Sequence, residues 1–99
     1  MAYQIEFWPE VEGHLRVLTA AERATVLAGI EGRLRHEPTV VTRNRRPMRP
    51  NPLAPWELRI GKLRVYYDVE EVPAPAVVIR AVGVKEGNEV WIGGRRYAL

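Results

Sequence analysis

The residues best suited to chemistry are cations, and they are concentrated. Residues 39–64 carry seven Lys/Arg and one acid, a net of +6, against −2 for residues 1–38 and −1 for residues 65–99. Such a concentration is the electrostatic footprint of a polyanion-binding surface, although a solvated basic loop gives the same count. Inside it, Arg59 and Arg64 flank Gly61-Lys62. Glycine at the first central position fits a type II′ turn, so 56–60 (WELRI) and 63–70 (LRVYYDVE) read as a tight hairpin. A two-residue turn fixes the register: Arg59 faces Arg64, Leu58 faces Val65, Glu57 faces Tyr66 and Trp56 faces Tyr67. One face then presents Trp56, Leu58, Ile60, Leu63, Val65 and Tyr67 for burial against a helix. The other presents Glu57, Arg59, Arg64, Tyr66 and Asp68. Like charges opposed across a ladder are destabilising. A bound anion between the two guanidiniums would relieve the repulsion, and phosphate suits their planar forks. Neutralisation by Glu57 and Asp68 would relieve it as well.

Other reactive residue types are scarce. There is no cysteine, which removes disulfides, zinc–thiolate sites, iron–sulfur clusters and thiol nucleophiles together and fits a cytoplasmic protein. His14 and His36 fall in helical segments and read as surface or packing residues. With 99 residues, 46% of them hydrophobic and 27% charged, the chain suits one globular domain spanning 1–99. No stretch approaches the length of an apolar membrane span, and the first residues lack the pattern of a secretory signal.

The elements that must position the cations follow from local signals. Residues 3–8 (YQIEFW) read as a first strand ending near Phe7 before Pro9. Residues 10–18 read as a short helix around Val11, Leu15 and Leu18. Thr19-Ala20-Ala21-Glu22 matches a capping box and opens a helix to about His36, with Val26, Leu27, Ile30 and Leu34 at helical spacing. Pro38 stops it. Gly29 and Gly32 weaken this helix unless close packing on a sheet requires them. Residues 39–55 form a connector in which Pro47, Pro50, Pro52 and Pro55 block helix and central strand. It is long for a structureless loop in so small a domain, which suggests a role beyond tethering. Residues 76–84 (AVVIRAVGV) read as a central strand, 89–92 (EVWI) as a short one, and 95–99 as a tail or return strand after Gly93-Gly94. On a regular strand Arg80 lies on the face opposite Lys85. Either Arg80 snorkels on the helix side, or parity is lost before Lys85.

These segments resemble the RelE/ParE superfamily of type II toxin–antitoxin toxins. The resemblance covers most of the chain: the first strand, the helix ending in proline, the basic connector RNRRPMRPNPLAP, and above all WELRIGKLRVYYDVEE followed by VVIRAVGVKEGNEVWIGG. The pattern Gly-x-x-Arg-Val-x-Tyr, Gly61 to Tyr67, is its most specific part, joined by Ala81 to Lys85. The resemblance implies an α+β, RelE-like fold. Its N-terminal strand and one or two helices precede a three- to four-stranded antiparallel sheet. The helices pack on one face and leave a basic concave face open. It also implies a small antitoxin partner with a helical tail. RelE-like members cleave mRNA on the ribosome without metal or cofactor; ParE-like members act on DNA gyrase; an inert member would only bind its antitoxin. Residue by residue, Arg64 matches the arginine RelE-like nucleases place near the scissile phosphate. Lys85 falls where a second basic groove residue is usual, and Trp91 where a substrate-contacting tyrosine occurs. Glu57 and Pro55 stand near positions held by lysines in the best-known nucleases. Metal-free cleavage needs an aligned 2′-hydroxyl, donors to the phosphate and a proton for the leaving oxygen. The expected catalytic set is Arg64 and Arg59 on the phosphate, Lys85 as a further charge or proton donor, and Glu57 as base. The expected substrate-binding set is Trp91 stacking on a base with Arg45, Arg46, Arg49 and Lys62.

Overall fold

The computed structural model describes residues 2–99. Its chain order is β1 (Gln4–Phe7), α1 (Glu10–Arg16), α2 (Ala20–Leu34), β2 (Arg45–Pro47), β3 (Trp56–Ile60), β4 (Leu63–Glu70), β5 (Ala76–Glu86), β6 (Glu89–Ile92) and β7 (Arg95–Tyr97). The two helices precede most of the strands, and the class is α+β. Among the described residues no helix is long and apolar enough to cross a membrane.

Local chemistry accounts for the helix boundaries. The Thr19 hydroxyl accepts from the Glu22 amide at 3.1 Å while the Glu22 carboxylate accepts from the Thr19 amide at 2.9 Å. That reciprocal box starts α2 at Ala20. Val26, Ile30 and Leu34 are buried, whereas Leu27 stays 38% exposed. Gly29 approaches β3 closely: a Cβ there would lie 2.3 Å from Ile60 Cδ1, so the end of that side chain would have to move. At Gly32 nothing lies within 4 Å of such a carbon. Packing therefore explains the first glycine and leaves the second without a structural reason.

The sheet is larger than the three or four strands expected. Seven strands join it, in the order β2-β3-β4-β5-β6-β7 with β1 paired to β5. All pairs are antiparallel except β1 with β5, which is parallel (Gln4 opposite Ala76 through Phe7 opposite Ile79). β5 is long enough to serve β1 at its start and β6 at its end. The connector also contributes a strand. Arg45–Pro47 pairs with β3, which is possible because an edge strand tolerates proline.

The hairpin register is as expected, with Arg59 opposite Arg64 and Leu58 opposite Val65. Gly61 has φ +58°, the left-handed value that the first position of a II′ turn requires. On the helix side Leu58, Leu63, Val65, Tyr67, Val77, Ile79 and Val82 meet Val11, Leu18, Val26, Ile30 and Leu34 in the main core. A second, smaller cluster on the other face joins Ala54, Tyr66, Ala81, Val90 and Ile92, with Met48, Leu53 and Tyr97 against them.

A bulge decides the position of Arg80. Tyr66 pairs with Ala81 but Tyr67 pairs with Ile79, so Arg80 is the extra residue on β5. The two-residue period resets there. Val77 and Ile79 before the bulge, and Val82 after it, all reach the main core. Arg80 lies on the Asp68 side, with its guanidinium 2.8 Å from Asp68 and 4.7 Å from the centre of the Trp8 ring. Parity is thus lost before Lys85, and both cations share the face away from the helices.

Candidate functional site

The face away from the helices is hollowed into an open groove of about 890 Å³. Its floor is Glu57, Arg59, Tyr66, Lys85 and Val90; one wall is the segment from Arg46 to Pro52, and the other is Asn88 with the C-terminal Ala98 and Leu99. Strand alternation sets the floor. Glu57 and Arg59 alternate along β3, Tyr66 pairs with Glu57, and Lys85 lies two residues beyond Gly83, the β5 partner of Arg64, so all point to one side. Four cations, Arg46, Arg49, Arg59 and Lys85, face one carboxylate, Glu57. The groove is therefore electropositive.

The Pro-rich wall is shaped by Asn51. Its carboxamide Nδ2 donates to the carbonyls of Arg49 (2.7 Å) and Ala54 (3.0 Å), and its Oδ1 accepts from the amides of Leu53 (2.8 Å) and Ala54 (3.2 Å). The Met48 amide closes the loop by donating to the Pro55 carbonyl at 2.8 Å. A side chain that mimics backbone in this way fixes a turn that prolines cannot close through their missing N–H groups. Met48, Arg49 and Pro50 are thereby held against the groove.

Glu57 is buried, and its Oε1 accepts from Arg59 Nε at 2.8 Å. The repulsion between Arg59 and Arg64 is relieved by this pairing and by burial of the second arginine. Arg64 keeps 7% of its surface, and its Nη1 donates to the carbonyls of Gly61 at 2.7 Å and Leu63 at 2.9 Å. Its Nε has no partner. The expected clamp of two guanidiniums on one wet surface is not what the fold builds: Arg59 lines the groove and Arg64 lies beneath it, turned to its own turn. Asp68, the other neutralising candidate, belongs to Arg80.

Five of the expected site residues meet in the groove: Glu57, Arg59, Lys85, Arg46 and Arg49. Three others lie elsewhere besides Arg64. Trp91 pairs with Val84 and Arg96, opposite in parity to the groove-facing Val90. It sits on the helix-bearing side, 38% exposed, with the Arg96 guanidinium 5.8 Å from its ring centre. Arg45 pairs with Leu58 and points the same way, donating to the carbonyls of Val40 and Arg33. It braces the connector to the end of α2 and is not free for a substrate. Lys62 projects from the turn toward Glu22, 3.9 Å away, outside the groove.

Tyr66 lines the groove although it belongs to neither the catalytic nor the substrate-binding set expected from the sequence. It is fully buried, it contributes to the groove floor, and it stands directly across the ladder from Glu57. Burial first, then the charge of the neighbouring Glu57 carboxylate and hydrogen bonding to it, hold its proton on well above the ordinary tyrosine range. The signal was parity: Tyr66 shares the Arg59 face of the hairpin. Tyr67 has the opposite fate, donating to the Pro38 carbonyl at 2.7 Å within the main core. Among the described residues no group of three or more His, Cys, Asp or Glu could hold a metal ion.

No family model matches this sequence, and no curated protein matches it closely. The likeness lies in three dimensions. A chain of the solved toxin–antitoxin complex RelBE2 from Mycobacterium tuberculosis superposes with a TM-score of 0.73 and 25% identity, over 86% of this chain and all of that one. The chain has the RelE-like toxin fold. The RelE-like frame explains the division of labour just described. In Gly-x-x-Arg-Val-x-Tyr the glycine makes the turn, the arginine ties the turn shut, the valine fills the core and the tyrosine holds the segment after α2. The pattern marks the fold, and the groove cations lie outside it.

Proposed function

We propose that this chain is the toxin of a type II toxin–antitoxin pair, that a cognate antitoxin with a helical tail neutralises it, and that it blocks translation by cutting mRNA held on the ribosome without a metal. The observation that carries the reading is the groove: four cations around one buried carboxylate, on the face the helices leave open, in a fold shared with a toxin–antitoxin complex. Single-stranded RNA offers one phosphate per nucleotide, and a positively charged groove follows such a backbone. Arg59, Lys85, Arg46 and Arg49 are the donors available to phosphate oxygens as charge develops on them. Arg59 is pre-oriented by its bond to Glu57. Lys85, exposed at the end of β5, is the proton donor nearest to solvent. Glu57 is the candidate base for the 2′-hydroxyl. Arg64 adds its charge from beneath the floor and not by contact.

The burial of Arg64 favours a second reading, in which the groove binds without cutting and the chain is a ParE-like gyrase inhibitor or an inert antitoxin binder. Controlled expression in a bacterium separates the readings. Protein synthesis and DNA supercoiling are followed in parallel. An early translation block with cut messages, abolished by Lys85→Ala, is the expected result. Relaxed or broken DNA with translation continuing would replace it with the gyrase reading, and a folded product without effect would leave antitoxin binding alone.

A further inference from the structure

We infer that a pocket at the end of α2 is a second phosphate site, which takes the backbone of an RNA strand after it leaves the groove over the β2 edge. The inference rests on the groove being an RNA site. It starts from Gly32, which packing leaves unexplained. A glycine inside a helix is destabilising, and a Cβ here would meet nothing within 4 Å. Gly32 lines an open concavity of about 480 Å³. Arg33, Arg43 and Arg45 line it too, with His36 beside them, against one carboxylate, Glu37. Neither Arg33 nor Arg43 forms an ion pair among the described residues. Bare backbone in a cationic hollow lets a bulky anion approach closer than a side chain would allow, and guanidinium forks suit phosphate.

The end of a helix ordinarily opposes an anion, because its last carbonyls carry partial negative charge. Two of them are covered here. Arg45 donates to the carbonyl of Arg33 as well as to that of Val40, and the Tyr3 amide donates to the carbonyl of Arg35. Arg45 is thus a positioning residue, and Arg33 and Arg43 are the donors to a phosphate oxygen. The pocket and the groove lie on opposite faces of one sheet edge. β2 is the terminal strand there; Arg43 and Arg45 line the pocket, while Arg46 and Arg49 line the groove. Charged side chains also keep an exposed edge from pairing with another strand, but that duty requires neither Arg33 nor a glycine on α2. A polyanion crossing the edge uses all of them.

The test compares the parent with two variants of the full chain, one carrying both Arg33→Gln and Arg43→Gln, the other Gly32→Leu. Anisotropy reads labelled single-stranded RNAs of about 5 and about 15 nucleotides, the span of single-strand sites. The parent is expected to bind the longer RNA more tightly. The arginine variant loses about tenfold on the longer RNA and nothing on the shorter, and its salt slope falls by about 1.4, two single-strand phosphates at about 0.7 each. Gly32→Leu fills the pocket without changing charge. It should weaken the longer RNA alone and melt at or above the parent temperature. Parent-like affinity of either variant for the longer RNA would overturn the inference, as would equal losses on both RNAs. A lowered melting temperature for Gly32→Leu would overturn it too, since the glycine would then serve packing. A parent that binds both lengths equally would end the RNA site at the groove and overturn this inference alone. A parent that binds neither would overturn the RNA reading of the groove as well.

Discussion

Replacing Arg64 with alanine should weaken the fold before it tests any chemistry, and the size of the effect can be worked from its contacts. Arg64 Nη1 holds the Gly61 and Leu63 carbonyls at 2.7 and 2.9 Å. A hydrogen bond from a charged donor contributes about 1.5–3 kcal/mol. Gly61 is exposed, so water can replace the arginine at its carbonyl and that loss sits at or below the low end. Leu63 is 5% exposed, and its carbonyl is less easily rehydrated. The stem of the side chain adds packing. Two gains oppose these losses: the unpartnered Nε disappears, and so does the like charge opposite Arg59. A net loss of about 2–3 kcal/mol is expected, within the range of a disrupted buried network. For 99 residues an unfolding entropy of about 2.1 cal/mol/K per residue makes this roughly 10–15 °C of melting temperature. Circular dichroism measures it directly. Arg64→Met, which keeps the stem and loses the donors, should fall between parent and alanine. Lys85→Ala removes an exposed side chain with no ion pair among the described residues and should melt within about 2 °C of the parent, as surface changes do. If Arg64→Ala melts within about 3 °C of the parent, the bracing role assigned to this arginine is wrong. The groove would then have to be redrawn with Arg64 inside it.

Three further outcomes test other parts of the structure. Gly32→Ala adds a carbon that meets nothing, so helix propensity alone should raise the melting temperature by about 5 °C. Gly29→Ala must displace the Ile60 side chain, and equal gains from the two would contradict the packing of α2 on β3. Asn51→Ala removes the carboxamide that organises the Pro-rich wall and should speed chymotrypsin cleavage after Met48 or Leu53 several-fold; an unchanged rate would mean that prolines alone hold the loop. His14 Nδ1 accepts from the Val82 amide at 3.4 Å, at the gap on β5 between the partners β1 and β6, and burial lowers its pKa. A histidine with a depressed folded-state pKa stabilises fully above its unfolded value of about 6.5 and loses that contribution as pH falls through the folded value. The parent should therefore lose more stability than His14→Gln between neutral and mildly acidic pH, and parallel profiles would remove His14 as the cause.

Much of this fold was legible because the decisive signals are short-range. The capping box set the start of α2, the glycine turn set the hairpin register, and once register was known alternation placed Glu57, Arg59 and Tyr66 on one face. The readings that changed depend on geometry that periodicity does not carry. Arg45 and Arg46 are adjacent and chemically identical. One points to the helix side and is used by backbone carbonyls, while the other points into the groove. The difference arises only because the connector becomes an edge strand, and its prolines conceal that. Trp91 looked like a stacking platform, but the pairing of β6 turns it to the helix side while Val90 takes the groove. Arg64 was on the correct face, yet depth as well as face decides access, and depth depends on the second cluster packed over the sheet.

The β5 bulge shows how one residue can decide what a surface is for. Without it, Ile79 and the pair Val82 and Val84 would lie on opposite faces, and a regular strand could not bury all of them against the helices. One extra residue lets the apolar run serve a single core across its whole length. The bulge absorbs Arg80, so Lys85 stays on the side of Arg59 and Tyr66 while Arg80 is expelled to a separate place beside Asp68 and Trp8. The strand is thus fitted to two demands, a continuous core on one face and a cation at the far end of the groove on the other. Deleting Arg80 removes the unpaired residue, so alternation should run unbroken from Ile79 through Val82 to Lys85, and the lysine keeps its face and its pairing with β6. A deletion variant that folds but loses its groove affinity would show that the bulge itself shapes the groove.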